Sequence, residues 1–376
     1  MSGSPLPLTP LAIKIEAFLN KGVGQVFPGA VLIWGQPSQE AEKSPSEKSP
    51  VKQMLAVGRR GLTRDNVPVT LDLIYDLASL TKILATTFLA MIETTRGALF
   101  LDATLGDYGW VGTVRNVTIR DLLAHRSGLP PWRPLYRLKP EPTLRASYQK
   151  AIEREEIICS PGTRVIYSDL NFLALGFVLE DLNQLPLDEL FAERIKKTLD
   201  LGRLGYKPTI GPVAPTEDGY RVGGPLDYPG APILGPTPLG RVHDDNAAGL
   251  GGVAGQAGLF GNALDVWRVV SHWAQSLANQ GSLTSALISP KVLGAFLEPQ
   301  SVWAGAPRAL GFELGQGELA GLWGHWGYTG GGVWWDPVND WALVFLSNRV
   351  HPTARERGIL AFRRELVGLA RSLALS

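Results

Sequence analysis

Leu73-Ile74-Tyr75-Asp76-Leu77-Ala78-Ser79-Leu80-Thr81-Lys82 runs directly into the apolar stretch Ile83 to Ile92. The order places a hydroxyl at the start of a buried helix and an amine one turn later on the same face. A serine is a weak nucleophile at neutral pH until a base takes its proton, and Lys82 is a fixed neighbour of the right type. The helix N-terminus adds unpaired N–H groups and the positive end of the helix dipole, both suited to a developing oxyanion. The competing reading of Ser79 is a plain helix cap.

Ser-x-x-Lys occurs three times in the chain. Ser49-Pro50-Val51-Lys52 sits in polar sequence, and Pro50 opposes a helix. Ser147-Tyr148-Gln149-Lys150 has Arg145 and Glu153 nearby and reads as a solvated helix face. Only the Ser79 copy is framed by apolar residues on both sides. Burial there is expected to lower the Lys82 pKa, which makes the amine a better proton acceptor.

Working outward, Leu8 to Val23 has helical periodicity, and Gly29 to Gly35 and Gln53 to Gly58 read as two strands of a hairpin. The intervening Gln36 to Pro50 is polar and reads as a loop. Thr118-Ile119-Arg120-Asp121 resembles a capping box for a short helix that stops at Ser127-Gly128-Leu129-Pro130. Leu170 to Leu182, Leu187 to Leu199 and Leu264 to Leu277 read as helices. Gly202 to Gly240 reads as an extended excursion, and Gly249 to Gly255 as backbone packed closely against a neighbour. Val333 to Asp336 and Trp341 to Leu346 flank a hairpin turn, and Thr353 to Leu373 is an amphipathic helix. Strands at both ends with helices between predict an α+β fold: an antiparallel sheet flanked by helices, with a mainly helical inserted region. The predicted boundaries are 1–90 with 240–376 for a discontinuous α/β domain, and 91–239 for the helical insert.

The chain has 376 residues, 45% hydrophobic and 19% charged, with net charge +1. That balance points away from nucleic acid as a partner. A single cysteine, Cys159, rules out an internal disulfide. The five histidines are scattered, His-Glu-x-x-His is missing, and no dinucleotide or P-loop pattern occurs, so chemistry without a metal or cofactor is expected. No run reaches transmembrane length and no signal peptide is visible, so the expected compartment is the cytoplasm, or the periplasm or exterior if a leader has been removed.

Two further segments carry chemistry. In Pro161-Gly162-Thr163-Arg164-Val165-Ile166-Tyr167-Ser168-Asp169, a tyrosine at a strand-to-helix corner presents its phenol for proton transfer if a cation is near. Alternatively, Tyr167 packs and Asp169 caps the following helix. In Gly324-His325-Trp326-Gly327-Tyr328-Thr329-Gly330-Gly331-Gly332, the glycines admit close approach of a ligand or chain. His325 is then a proton donor or a polar wall, or the segment is a glycine-rich strand with aromatic packing.

Together, Ser79-x-x-Lys82, Tyr167-Ser168-Asp169 and His325-Trp326-Gly327 resemble the three ordered motifs of the penicillin-recognising serine hydrolases. These include class C β-lactamases, D-Ala-D-Ala carboxypeptidases and related esterases. Asp76 to Lys82, Thr118 to Pro130, Pro161 to Gly176, His243 to Phe260 and Leu346 to Pro352 extend the likeness along the chain. The resemblance implies the β-lactamase/transpeptidase-like fold and a small-molecule ester, amide or peptidoglycan-derived substrate. It implies Ser79 as the acylated nucleophile, Lys82 taking or sharing its proton, and Tyr167 as general base. It also implies an oxyanion hole from the amides of Ser79 and Tyr328, with Gly327 alongside.

The chain departs from the family's pattern at three places. Asp169 stands where asparagine is frequent, and a carboxylate cannot donate to a substrate carbonyl. It is expected to hold Lys82 charged or to meet a substrate amine. His325 stands where many relatives carry lysine and is expected to titrate near neutral pH. Trp326 replaces a small hydroxyl residue and is expected to disfavour penicillins and D-Ala termini, and to favour esters or stacked substrates. Arg349 is either a substitute carboxylate contact or a surface charge. His243-Asp244-Asp245-Asn246 resembles a segment that lines the cleft. Gln256 replaces a histidine common in close relatives, so its side chain is not expected to be essential. Two functions follow: a serine hydrolase working through an acyl-enzyme, or a β-lactam- or peptidoglycan-fragment-binding sensor with little turnover.

Overall fold

Trp341–Ser347 is buried along its whole length, and the rest of the molecule is laid around it. The computed structural model describes residues 10–40, 52–62, 66–208, 211–224, 232–278, 287–300, 306–354 and 358–374. Ser49 and most of the predicted loop before it lie outside the described residues.

The strand is the third of six in an antiparallel sheet. Their order is Lys52–Gly58, Gly29–Gly35, Trp341–Ser347, Gly332–Asp336, Trp323–Trp326 and Glu313–Leu314. Side chains alternate between two apolar layers, as a pleated strand requires. Ala30, Leu32, Trp34, Leu343 and Phe345 face the helices Pro10–Gly22 and Ile359–Ala374. Val31, Ile33, Val333, Val344 and Leu346 face the layer that holds the serine helix and Ala263–Ala278. Each buried large aliphatic side chain contributes about 1.5–3 kcal/mol, so this two-sided burial fixes the register. Both predicted hairpins are present, with Gly29–Gly35 paired to Lys52–Gly58 and Asp336 opposite Trp341.

The second layer continues without a gap into the helices between 119 and 196. One apolar cluster contains Val344 and Leu346 of the sheet, Leu84 and Phe88 of the serine helix, and Leu122, Leu173 and Leu190 beyond. Asp169–Asn183 is the longest of the helices between 119 and 196. Gly255 is tight against it, because a Cβ there would lie 2.0 Å from the Phe172 carbonyl oxygen. The glycine-rich stretch is therefore a close backbone approach, as its composition predicts.

Three local expectations need correction. The helix after Ser79 begins as a π-helix, Lys82–Thr87, before continuing as the α-helix Phe88–Thr95. The helix Leu144–Glu153 exists, but its Ser147-Tyr148 face is buried rather than solvated. The Tyr148 hydroxyl donates to the Asn246 carbonyl, and that tertiary contact overrides the polar look of the segment. The last helix begins at Ile359 rather than Thr353. Among the described residues, no helix is long and apolar enough to cross a membrane.

Candidate active site

The leader of the serine helix is clamped from two sides. Tyr75–Asp76 pairs with Leu259–Gly261. The buried Asp76 carboxylate accepts from the Ala78 amide at 2.9 Å and from the His243 amide at 2.7 Å. Thr329 Oγ1 donates to the Asp76 carbonyl at 2.6 Å. A Cβ on Gly327 would lie 2.8 Å from the Leu77 carbonyl oxygen, so only glycine lets the third motif pack on this leader. Between these clamps Ala78 adopts φ 45°, a left-handed conformation that costs a residue with a Cβ on the order of 1 kcal/mol. The cost is borne at the residue that aims Ser79.

Lys82 is fully buried. Its Nζ donates to Ser79 Oγ at 3.0 Å, to Asp169 Oδ1 at 2.7 Å and to the Gln256 carbonyl at 3.1 Å. Three protons meet three acceptors. Burial pulls the lysine pKa down, yet Asp169, with Tyr167 adding to it, outweighs burial and holds it above the usual lysine range. This reverses the expectation drawn from burial alone: Lys82 is kept charged. Asp169 opens its helix without capping it, and its carboxylate is turned to the lysine.

Tyr167 is placed by a loop whose role the sequence did not reveal. The His125 carbonyl accepts from the Ile166 amide at 2.8 Å, and His125 Nδ1 accepts from the Ser168 amide at 3.1 Å. The Ser168 hydroxyl donates to the Pro130 carbonyl at 2.6 Å. The His125 and Tyr167 rings pack at a tilt of 40° with centroids 4.5 Å apart, and Lys82 Nζ lies 5.1 Å from the Tyr167 centroid. Burial, then the charge of Arg308, hold His125 well below the usual histidine range, so it is a neutral support.

A cleft of about 500 Å³ opens over these groups. Ser79, Tyr167, Asp169, His325, Trp326, Gly327, Tyr328 and Arg349 all line it, so three distant stretches of sequence do converge there. His243, Asp244, Asp245 and Gln256 line it too.

Several of these residues behave differently from their sequence-based reading. Burial, then the charge of Arg308, push His325 well below the usual histidine range, so it does not titrate near neutral pH. Its Nδ1 faces the Trp326 carbonyl at 2.8 Å and must donate, which leaves Nε2 a buried acceptor without a partner among the described residues. The Trp326 ring packs on Trp334 at 4.9 Å and under the Arg363 guanidinium at 4.4 Å. It therefore belongs to the layer of the C-terminal helix. Arg349 is buried rather than a surface charge, and donates to the Tyr328 carbonyl at 2.8 Å and the Ala354 carbonyl at 3.1 Å. It also stacks 4.5 Å over the Tyr328 ring.

Sequence reasoning missed Trp132, Arg221 and Arg308 as lining residues. Arg221 forms a two-pronged pair with Asp245, at 2.9 and 2.5 Å. Arg308 lies in sequence with no motif around it, so nothing local could have marked it.

The β-lactamase family model matches residues 51–367. A protein of Escherichia coli O157:H7, provisionally named D-alanyl-D-alanine carboxypeptidase, is 31% identical over 317 residues, covering 76% of this chain and 71% of its own. Two solved structures share the fold. The β-lactamase/D-alanine carboxypeptidase from Pseudomonas syringae superposes with a TM-score of 0.71 at 15% identity, over 97% of this chain and 99% of that one. EstCE1, a hydrolase with promiscuous acyltransferase activity, gives 0.71 at 20% identity, over 95% and 98%.

Proposed function

This chain belongs to the β-lactamase family of serine hydrolases, and from that premise we propose that it cleaves an ester or amide through an acyl-enzyme on Ser79. The observation that carries the reading is the Lys82 ammonium, 3.0 Å from Ser79 Oγ and anchored by Asp169 at 2.7 Å. An ammonium held charged cannot accept the serine proton. It polarises Oγ, and Tyr167, in its phenolate form beside the ammonium, takes the proton as general base. Oγ then attacks the substrate carbonyl carbon. The amides of Ser79 and Tyr328 face the oxygen that becomes negative, a type of contact worth about 3 kcal/mol per donor. Collapse expels the alcohol or amine, which receives the proton from Tyr167. Water hydrolyses the acyl-enzyme by the same route in reverse.

Peptidoglycan-derived peptides and small esters are the proposed substrate classes. The relative's name supports the first, and the EstCE1-like fold is compatible with the second. Weak β-lactam turnover is expected, because the third motif offers neither a cation at His325 nor a hydroxyl at Trp326.

Intact-mass measurement after mixing with a nitrophenyl ester, a penicillin or a fluorophosphonate tests the reading. A covalent adduct on the wild type that is missing from Ser79→Ala is the expected result. Ester turnover that survives Ser79→Ala refutes the nucleophile assignment. A wild type that stays unmodified by all three supports the binding-protein alternative.

A further inference from the structure

Asp169 alters the charge balance around Tyr167. It pairs with Lys82, whose charge is therefore matched by a carboxylate. His325 is neutral, so the third motif supplies no second cation. The groups facing Tyr167 are Lys82 from the serine helix, His125 from the supporting loop, His325 from strand Trp323–Trp326, Asp169 from its own segment, and Arg308.

Arg308 is the cation among these that is poorly matched. Its guanidinium carbon is 5.3 Å from the Tyr167 ring centroid. The side chain is 6% exposed and lines the cleft. Its Nε and Nη1 are buried and have no hydrogen-bond partner among the described residues. Glu313 is 3.6 Å from Nη2, long for a charged pair. Burying a guanidinium in this state is costly unless negative charge arrives beside it at some stage.

We propose that Arg308 is a positioning residue for acylation, stabilising the phenolate form of Tyr167, the form that can take the proton from Ser79. It supplies the field that Asp169 takes away from Lys82. The proton passes from Ser79 Oγ to the phenolate oxygen as Oγ bonds to the acyl carbon, and the phenol so formed hands it to the leaving group and returns to phenolate. Arg308 exchanges no proton. The inference rests on the Ser79–Tyr167 reading above and is tested so that the two can fail separately.

The experiment measures kcat/KM against pH for an uncharged nitrophenyl ester, with rates counted per serine titratable by fluorophosphonate. Arg308→Gln is expected to lower kcat/KM roughly tenfold at neutral pH, since general-base assistance as a whole is worth about 10²–10⁴. The acidic limb should move to higher pH, because removing a cation disfavours the phenolate, and the deficit should close at alkaline pH. Arg308→Lys should restore most of the loss. Glu313→Gln, which leaves the arginine in place, should move the limb to lower pH and reads the same field if Arg308→Gln folds poorly. Profiles of Arg308→Gln and Glu313→Gln that overlay the wild type, with Ser79→Ala and Tyr167→Phe inactive, overturn this inference alone. A Tyr167→Phe enzyme as active as wild type overturns both. An Arg308→Gln loss confined to the KM of an ester whose acyl chain ends in a carboxylate makes Arg308 a substrate anchor and overturns the proposal.

Discussion

The two walls of the cleft handle charge in opposite ways. On the helical wall, cations meet carboxylates: Lys82 meets Asp169, and Arg221 meets Asp245. On the strand wall, guanidinium groups meet main-chain carbonyls. Arg349 donates to Tyr328 and Ala354, Arg363 donates to Gly327 and Gly331, and Arg308 lies over the Tyr167 ring with a long contact to Glu313. Carbonyls orient a cation without cancelling its charge. The helical wall thus matches its cations with carboxylates, whereas carbonyls orient Arg349 and Arg363 on the strand wall. Ser79 lies between them, and the negative charge of an acyl-transfer transition state develops toward the strand side, where Gly327 and Tyr328 present their backbone. The difference teaches that carboxylate pairing sets up the resting proton network, while the wall whose guanidinium groups are oriented by carbonyls faces the charge that exists only during reaction.

Breaking the balanced wall should have the largest effect. Lys82→Met leaves the half-buried Asp169 near Asp244 without its ammonium partner. Turnover should fall about 10³-fold or more, and stability by about 3 kcal/mol, read from ester kinetics and from urea midpoints. Asp169→Asn sharpens the comparison from the other direction. It removes the matching carboxylate, so Lys82 contributes more field at Tyr167. The penalty for Arg308→Gln should then shrink about threefold in an Asp169→Asn background, measured as a double-mutant cycle on kcat/KM. An unchanged penalty means that the walls act independently.

The smallest effect concerns Asp244. Burial, then the nearby Asp169, push its carboxyl up to about 6. A pKa raised on folding favours the folded state below the unfolded value of about 4, and that advantage is lost as pH rises through 6. Asp244→Asn retains an oxygen for the Ala247 amide. It should raise the melting temperature by about 2–4 °C above pH 6 and leave it unchanged below pH 4. Calorimetry at pH 4 and pH 7.5 checks this.

Much of the fold was legible because its signals are local. The apolar runs on either side of the Pro337–Asp340 turn predict a hairpin, and it forms with Asp336 opposite Trp341. Glycines at 249–255 announce a close approach without naming Phe172 as the neighbour. The three short motifs could be found because each keeps its residues within one turn or corner. Arg308 and His125 could not, since their roles consist of distances to residues far along the chain.

Sequence by itself determined which side chains are available: an alcohol, an amine, a phenol, and aspartate in place of asparagine at 169. It also determined the elements that carry them, because period and turn chemistry act between near neighbours. Tertiary structure alone decided their ionisation. Lys82 is charged because a carboxylate 87 residues away reaches it at 2.7 Å, and His325 is neutral because it is buried near Arg308. Protonation depends on burial and on the nearest charge, and both are properties of the assembled fold.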